Sequence, residues 1–493
     1  WLLTNKSESK IIQQISSNKE HASDLIENLI IDILNEFPNK KSIILSLSLF
    51  EKFSPQLLEH ITESKNDSKI DIIIDELLSS NLFLIPLDNQ KNWYRLHHMF
   101  REFLNYILEK EFSENQINLL RNKAAQWFEN NHLYFECIQQ LIYSENIDIA
   151  IEKFSDIRND LITNNEWRTL QNIFNLFSAH HISTSCELQL IEAWILIQQG
   201  KILELFDSFE NLTKNINNDQ SNYKHIYEAE LNSLLPYKTY NVNLDFDLCI
   251  QQCKYAIENL PNNFEYQLGY AWIFYGGCLQ IEGKHSKAVQ IITKKVNTTN
   301  SKTLRQNLLL GLCFIHWMEG KLTDLKRTAN QLINLGKETR NFEILANGYY
   351  FLAITSYRLA NIDDALSNFK LFNEIRTSSI GAVNYTGAIN YVQLLLLLGK
   401  LDEAKNILDK LSIEVNNSES DFYSKLVDLA FAEYFLKTNE IETSWLLSKS
   451  AKDLPLLPFS NAYAPIFTYL KTLAFKRNLK SEKKLISEIK LFL

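Results

Sequence analysis

One spacing recurs four times between residues 270 and 405, and it restricts the chain to a small set of folds. A larger residue is followed four positions on by a small one, and twelve positions after that by another close-packing residue. The frames are Trp272, Gly276 and Ala288; Leu309, Cys313 and Leu325; Tyr349, Ala353 and Ala365; and Ala388, Val392 and Ala404. Only the fourth lacks a large first member, and successive frames are offset by 37, 40 and 39 residues. Residues four apart share a helix face. A turn precedes the last marker each time, in EGKHSKA, EGKLTDL, LANIDDA and LGKLDEA, with looser versions at 198–205 (QQGKILEL) and 437–444 (KTNEIETS). The small residue lets two helices approach, and the turn glycine or asparagine takes the left-handed conformation that ends the first helix. This is a helix–turn–helix unit near the tetratricopeptide pattern, somewhat long for it. Stacked units of this kind form a solenoid with a concave surface.

Composition agrees. A chain of 493 residues exceeds what one core organises, so two to four domains are expected. Only 12 Gly and 8 Pro leave little turn chemistry for a β-rich fold. The fold class is therefore all-α: a domain with one short β-hairpin, then an α-α superhelical solenoid. The net charge of -9 argues against a nucleic-acid surface. Residues 1–110 carry 10 Lys and 2 Arg against 16 Asp and Glu, so this part should dock on protein and not on DNA. Cys137, Cys186, Cys249, Cys253, Cys278 and Cys313 sit within apolar helical patterns. With no secretion signal and no membrane-length apolar run, they read as reduced thiols of a cytoplasmic protein without a membrane contact. Cys249 and Cys253 share a helix face, which allows a metal pair; two small core residues are the simpler reading. The chain opens at Trp1 and reads as a fragment of something longer.

Residues 1–20 read as the tail of a preceding nucleotide-binding module. Residues 21–110 form the first domain, 111–175 a helical connector and 176–493 the repeat arm. From Ser23 and Asp24 a capped helix, LIENLIIDILNEF, runs to Pro38. KSIILSLSLF follows, and then SPQLLEHITE with Ser54 as N-cap and Pro55 at the first helical position. The segment 75–104, DELLSSNLFLIPLDNQKNWYRLHHMFREFL, reads as helix, strand, turn, strand, helix. Leu82 to Ile85 make the first strand, stopped by Pro86. Asp88 and Asn89 turn the chain, and Trp93 to Leu96 return. His97 and His98 open a helix with Phe100, Phe103, Leu104 and Ile107 on one face.

The string NLFLIPLDNQKNWYRLHHMF resembles the winged-helix region of the MalT-like, LuxR-family regulators, which are STAND ATPases switching between ADP- and ATP-bound states. The following stretch 121–154 is similar to the helices after the wing in that family. The resemblance implies that His97, opening the helix after the wing, reaches the β-phosphate of bound ADP and latches the resting state. Imidazole donation and a helix N-terminus both suit a phosphate. The other reading of His97 is a helix cap. Arg95 could add charge there, or be a solvated wing residue. The resemblance also implies an arm that binds a small-molecule inducer or a regulatory protein, self-assembly on activation, and DNA contact through a further domain.

This chain alone is not expected to be an enzyme. It lacks G-x-x-x-x-G-K-[ST]; in GGCLQIEGKHS (276–286) Cys278 replaces the first glycine and His285 the Ser or Thr. ADP or ATP would be bound mainly by a domain outside it. It carries no G-x-S-x-G and no H-E-x-x-H. Asp363 with Asp364, and Asp75 with Glu76, are adjacent and point to different faces. The LuxR-type helix-turn-helix is not visible either, and KRNLKSEKKLISEIKLFL reads as a last repeat helix. In the repeat register, Tyr270, Asn307, Trp317, Asn347, Tyr350, Tyr357 and Arg358 point into the concavity. Aromatics with amides and one arginine suit a sugar-like or small polar ligand, or a peptide. Trp317 and the tyrosines equally suit cores between repeats. A protein-binding scaffold without a nucleotide switch, or the sensor arm of a signalling enzyme, are the alternative functions.

Overall fold

The computed structural model describes residues 40–62, 67–79, 84–378, 381–418, 421–451, 454, 465–476, 484 and 486. The expected segment 1–20, the helix before Pro38, the strand residues Leu82 and Phe83, and most of the C-terminal basic segment lie outside them. The chain forms two compact units, up to Asp156 and from Ile157 onward.

The first unit begins with α1 (Lys41–Ser46), continued by a 3-10 turn, then α2 (Pro55–Thr62) and α3 (Asp67–Ser79). Ser54 caps α2 as its sequence implies: its Oγ accepts from the Leu57 N–H at 3.1 Å. A hairpin of β1 (Leu84–Pro86) and β2 (Tyr94–Leu96) follows, pairing Leu84 with Leu96 and Pro86 with Tyr94. Pro86 therefore does not stop the strand. The Leu87 N–H still donates to the Trp93 carbonyl at 2.8 Å. Proline is tolerated because β1 is an edge strand, where a missing N–H leaves no partner unpaired. Phe53 covers the other side of β2, exchanging both backbone hydrogen bonds with Tyr94 at 2.9 Å. Asp88 holds the turn by accepting from the N–H groups of Asn92 (3.0 Å) and Trp93 (2.8 Å). The Asn92 bond, ahead of that from Trp93, draws the Asp88 carboxyl below its usual range.

Next come α4 (His98–Glu111), α5 (Glu114–Asn130), α6 (Tyr134–Tyr143) and α7 (Ile147–Thr163). The buried stripe of α4 is Phe100, Leu104 and Leu108, with Phe103 and Ile107 half-buried at its flank. It packs against α1 and the 3-10 turn after it, and Leu45, Phe53, Leu57, Leu58 and Leu77 are buried in the same unit. Helix α5 belongs to that core: Trp127 meets Trp93 edge-on at 6.2 Å, and Phe128 meets Phe50 at 6.2 Å.

The second unit opens with α8 (Trp167–Phe174) and α9 (Ala179–Thr184). Helix pairs then follow: α10 (Cys186–Gln199) with α11 (Ile202–Asn218), α12 (Lys224–Leu234) with α13 (Phe246–Asn259), and α14 (Glu265–Ile281) with α15 (His285–Thr298). They continue as α16 (Lys302–Met318) with α17 (Leu322–Thr339), α18 (Phe342–Arg358) with α19 (Ile362–Ile375), and α20 (Gly381–Leu397) with α21 (Leu401–Ser418). The last are α22 (Asp421–Lys437) with α23 (Ile441–Ala451), then α24 (Pro465–Phe475). Each sequence frame falls on one such pair, its first two markers on the first helix and its third on the second. Ala288, Cys313, Leu325, Ala353, Ala365, Val392 and Ala404 are all fully buried. A Cβ at Gly276 would collide with Ile292 and Ile315, so that contact admits only glycine without movement.

Gly200, Gly283, Gly320, Gly399 and Asn439 take the left-handed turn position, at φ between 65° and 75°. The repeat turn LANIDDA differs: Ala360, not Asn361, sits there at φ 59°. Alanine pays a steric cost in that region. Ala360→Gly should therefore raise stability by about 1 kcal/mol, read as a higher urea midpoint at unchanged slope.

The solenoid returns on itself. Helix α10 of the first pair packs against α20 of the sixth. A Cβ at Gly200, just past α10, would strike the Tyr423 ring on α22.

Candidate functional site

The first candidate lies on the wing. His97 is the N-cap of α4, with extended backbone (φ -59°, ψ 138°), and is half-buried. Its ring lies 4.6 Å from that of His98, which is exposed. The first intrahelical bond runs from the Arg101 N–H to the His97 carbonyl, 3.0 Å. The N–H groups of His98, Met99 and Phe100 therefore precede the helical ladder. No acidic side chain occupies the first turn of α4. Arg95 is exposed on β2, opposite Ile85. An imidazole at the N-terminus of a helix whose own first turn carries no acid is chemically suited to phosphate, and Arg95 adds a positive charge two residues earlier.

The arm distributes its expected ligand residues over three places. Trp317 and Arg358 come together, the guanidinium 5.4 Å from the indole centre. They line an open groove of 810 Å³ with Gln280, Met318, Glu319 and Leu322. Tyr357 lies apart, in a 720 Å³ groove with Gln393, Glu433, Lys471 and Phe475. Tyr270, Asn307, Asn347 and Tyr350 are buried on the first helices α14, α16 and α18. Tyr350 is a core residue between repeats, against Phe372 at 5.8 Å.

The other three belong to a polar and aromatic interior. Tyr270 stacks on Tyr237 (5.8 Å) and contacts Tyr266 (5.0 Å) and Trp194 (5.7 Å). The hydroxyls of Tyr266 and Tyr270 are 3.3 Å apart. Burial, ahead of their neighbours' charges, pushes Tyr237 and Tyr266 well above the ordinary tyrosine range. Asn307 fits beside α14 only because residue 269 is glycine, since a Cβ there would collide with its side chain. Asn307 Nδ2 and both amide atoms of Asn347 are buried without a hydrogen-bond partner.

The sequence reading missed Glu343. It is 5% exposed, one helical turn before Asn347, and electrostatically coupled to Tyr237, Tyr266 and Tyr270. Burial pushes its carboxyl up to about 7. Sequence reasoning also missed a charged knot beside this interior. Arg158 binds Glu230 through both terminal nitrogens (2.9 and 2.6 Å) and Glu187 through Nε (2.6 Å). Glu230 also accepts from the Trp194 indole N–H at 2.8 Å. Gln267 donates to Asn159 at 3.0 Å alongside. The one local signal was Glu187 at the start of the mainly apolar helix CELQLIEAWILIQQ; Arg158 and Glu230 stand among other charged residues on their helices.

Among the described residues no group of three or more His, Cys, Asp or Glu could hold a metal ion. Cys249 and Cys253 are fully buried, and Cys249 exchanges hydrogen bonds with Cys253 and Cys278, an arrangement of core thiols. Among the same residues no helix is long and apolar enough to cross a membrane.

Fold and site together define a winged helix followed by a tetratricopeptide-like arm. Residues 33–116 match the family model of the MalT winged helix domain. The HTH-type transcriptional regulator MalT of Vibrio parahaemolyticus is 22% identical over 295 residues, covering 58% of this chain and 31% of that protein. The serine/threonine-protein kinase PknK of Mycobacterium tuberculosis is 22% identical over 193 residues, 39% of this chain and 17% of that protein. A STAND protein with a tetratricopeptide repeat sensor from Pyrococcus horikoshii shares the fold (TM-score 0.50, 14% identity, 87% of this chain and 67% of that one). The winged-helix part matches the MalT family model, and the chain spans about a third of the length of the curated MalT regulator it is similar to.

Proposed function

We propose that this chain is the regulatory and sensor portion of a MalT-like, ATP-dependent transcriptional regulator of the LuxR family, acting in the cytoplasm. The observation that carries the reading is a MalT-type winged helix whose post-wing helix opens on His97. In the resting state the winged helix packs on an ADP-loaded nucleotide module. His97 donates to the β-phosphate there, Arg95 adds positive charge, and the first-turn N–H groups face the anion. The arm binds an inducer or an inhibitory protein. Binding favours release of the winged helix only to the extent that the ligand prefers the open state. Nucleotide exchange, self-assembly and DNA contact through a further domain follow. Catalysis of ATP hydrolysis belongs to the nucleotide module, not to these residues.

His97→Ala in the protein carrying that module should weaken ADP retention by about tenfold or more and raise basal output, because a hydrogen bond to a charged group is lost. Nucleotide released on denaturing the purified protein measures it. Unchanged ADP retention would count against the latch. The similarity to PknK favours a second output, in which a comparable arm reports to an attached protein kinase.

A further inference from the structure

The geometry points to the ligand class of the arm: its interior binds an organic ammonium ion, held by Glu343 among Tyr237, Tyr266 and Tyr270, with Asn307 and Asn347 on the polar remainder of the molecule. This rests on the reading of the arm as a sensor.

Among the described residues the second unit compensates its other two buried carboxylates: Glu187 and Glu230 share Arg158. Among the described residues no Lys, Arg or His forms an ion pair with Glu343, although it is as buried as Glu187. A buried carboxylate is costly unless a cation meets it. Among the described residues none does, and the missing charge is positive.

Shape and surroundings narrow the cation. Three tyrosines, Tyr237, Tyr266 and Tyr270, lie within electrostatic reach of Glu343. Tyr266 contacts Trp167 (5.4 Å) and Trp194 (5.7 Å) as well as Tyr270, and Tyr270 stacks on Tyr237. Ring faces attract alkylammonium groups, whereas a small metal ion needs several oxygen ligands. Asn347 lies on the Glu343 face of α18, four residues on, and Asn307 projects from the neighbouring α16 past Gly269. Their unpartnered amide atoms can donate and accept, so they suit hydroxyl or carbonyl groups attached to the ammonium. An anionic ligand is disfavoured because the set offers it one carboxylate and no basic side chain. Glu343, Asn307, Asn347, Tyr266 and Tyr270 are all buried. Ligand entry therefore requires the arm to open, which couples occupancy to its conformation.

The test uses the full chain with choline and propylamine as probes, and dimethylbutanol as the uncharged carbon isostere of choline. The readouts are the ligand-induced shift in unfolding temperature and calorimetric Kd. An ammonium probe should raise the unfolding temperature while the isostere does not. Glu343→Gln should weaken ammonium binding by about tenfold or more, and Asn347→Leu should weaken choline more than propylamine. Binding should also fall as pH drops below about 7, where Glu343 takes up a proton. Equal response to choline and its isostere, full response in Glu343→Gln, or no response to either ammonium probe would overturn the proposal. A neutral sugar or peptide whose binding is lost in Asn347→Leu but kept in Glu343→Gln would overturn the ammonium and leave the sensor arm standing. The sensor reading itself fails if neutral and charged small molecules and peptides alike leave hydrogen exchange in α14, α16 and α18 unchanged.

Discussion

Replacing Arg158 with methionine should cost about 3–5 kcal/mol of stability, the largest effect expected of any single polar substitution in the arm. The guanidinium is 1% exposed and serves two buried carboxylates at once. Methionine keeps much of its volume but removes the guanidinium that Glu187 and Glu230 share. The cost comes from that uncompensated charge, not from the loss of a favourable pair. Two further results follow. The deficit should shrink in acid, where the carboxyls can be buried protonated. Replacing Glu187 and Glu230 with leucine in the same variant should recover most of the loss. Urea unfolding of the three proteins at about pH 5 and about pH 8 checks both. A deficit independent of pH and unrelieved by the leucines would mean that Arg158 matters for packing alone.

The second large effect has the opposite sign. Glu343→Gln should stabilise the free protein by about 3 kcal/mol at about pH 8 and by little near pH 4. The native carboxyl is raised from 4.5 to about 7 by burial. A group raised on folding contributes full stability below its unfolded value, and that stability is lost as pH rises through the folded value. Wild-type stability should therefore decline between about pH 4.5 and 7, and the glutamine variant should lack this component. Paired urea titrations across that range measure the difference. A glutamine variant less stable than wild type at alkaline pH would show that Glu343 is compensated within the fold. Gain of stability together with loss of ligand response is the pattern of a strained binding group.

How far these features could be read from sequence depends on whether their causes are local. The repeat frames were legible because Gly276, Cys313, Ala353 and Val392 recur at spacings that a helix hairpin alone can satisfy. The hairpin of the wing was legible from Asp88 and the flanking apolar runs. Pro86 was misjudged because its tolerance depends on β1 being an edge strand, and that follows from Phe53 pairing with β2, thirty residues or more away. Ala360 was misjudged because the turn is imposed by the helices it joins, whatever residue occupies it. Glu343 could not be found locally. A glutamate in the first turn of a helix ordinarily faces water and complements the dipole. Its burial is set by helices distant in sequence, since Tyr237, Tyr266 and Tyr270 lie within its electrostatic reach. Asn307, Asn347 and Tyr270 lie on the first helices, where they are buried and not exposed on a concave surface. The same register grouped Trp317, Tyr357 and Arg358 with them, whereas Trp317 and Arg358 share one groove and Tyr357 lines another.

The most direct test of the account is to read the coding sequence on both sides of residues 1–493. A sensor and latch acting through His97 requires a phosphate-binding P-loop module upstream, and a transcriptional output requires a DNA-binding helix-turn-helix downstream. Finding the upstream module would place His97 within a nucleotide switch, and the downstream domain would specify its output. An uninterrupted upstream sequence without a P-loop would contradict the switch, leaving a tetratricopeptide-like scaffold whose partner is a protein.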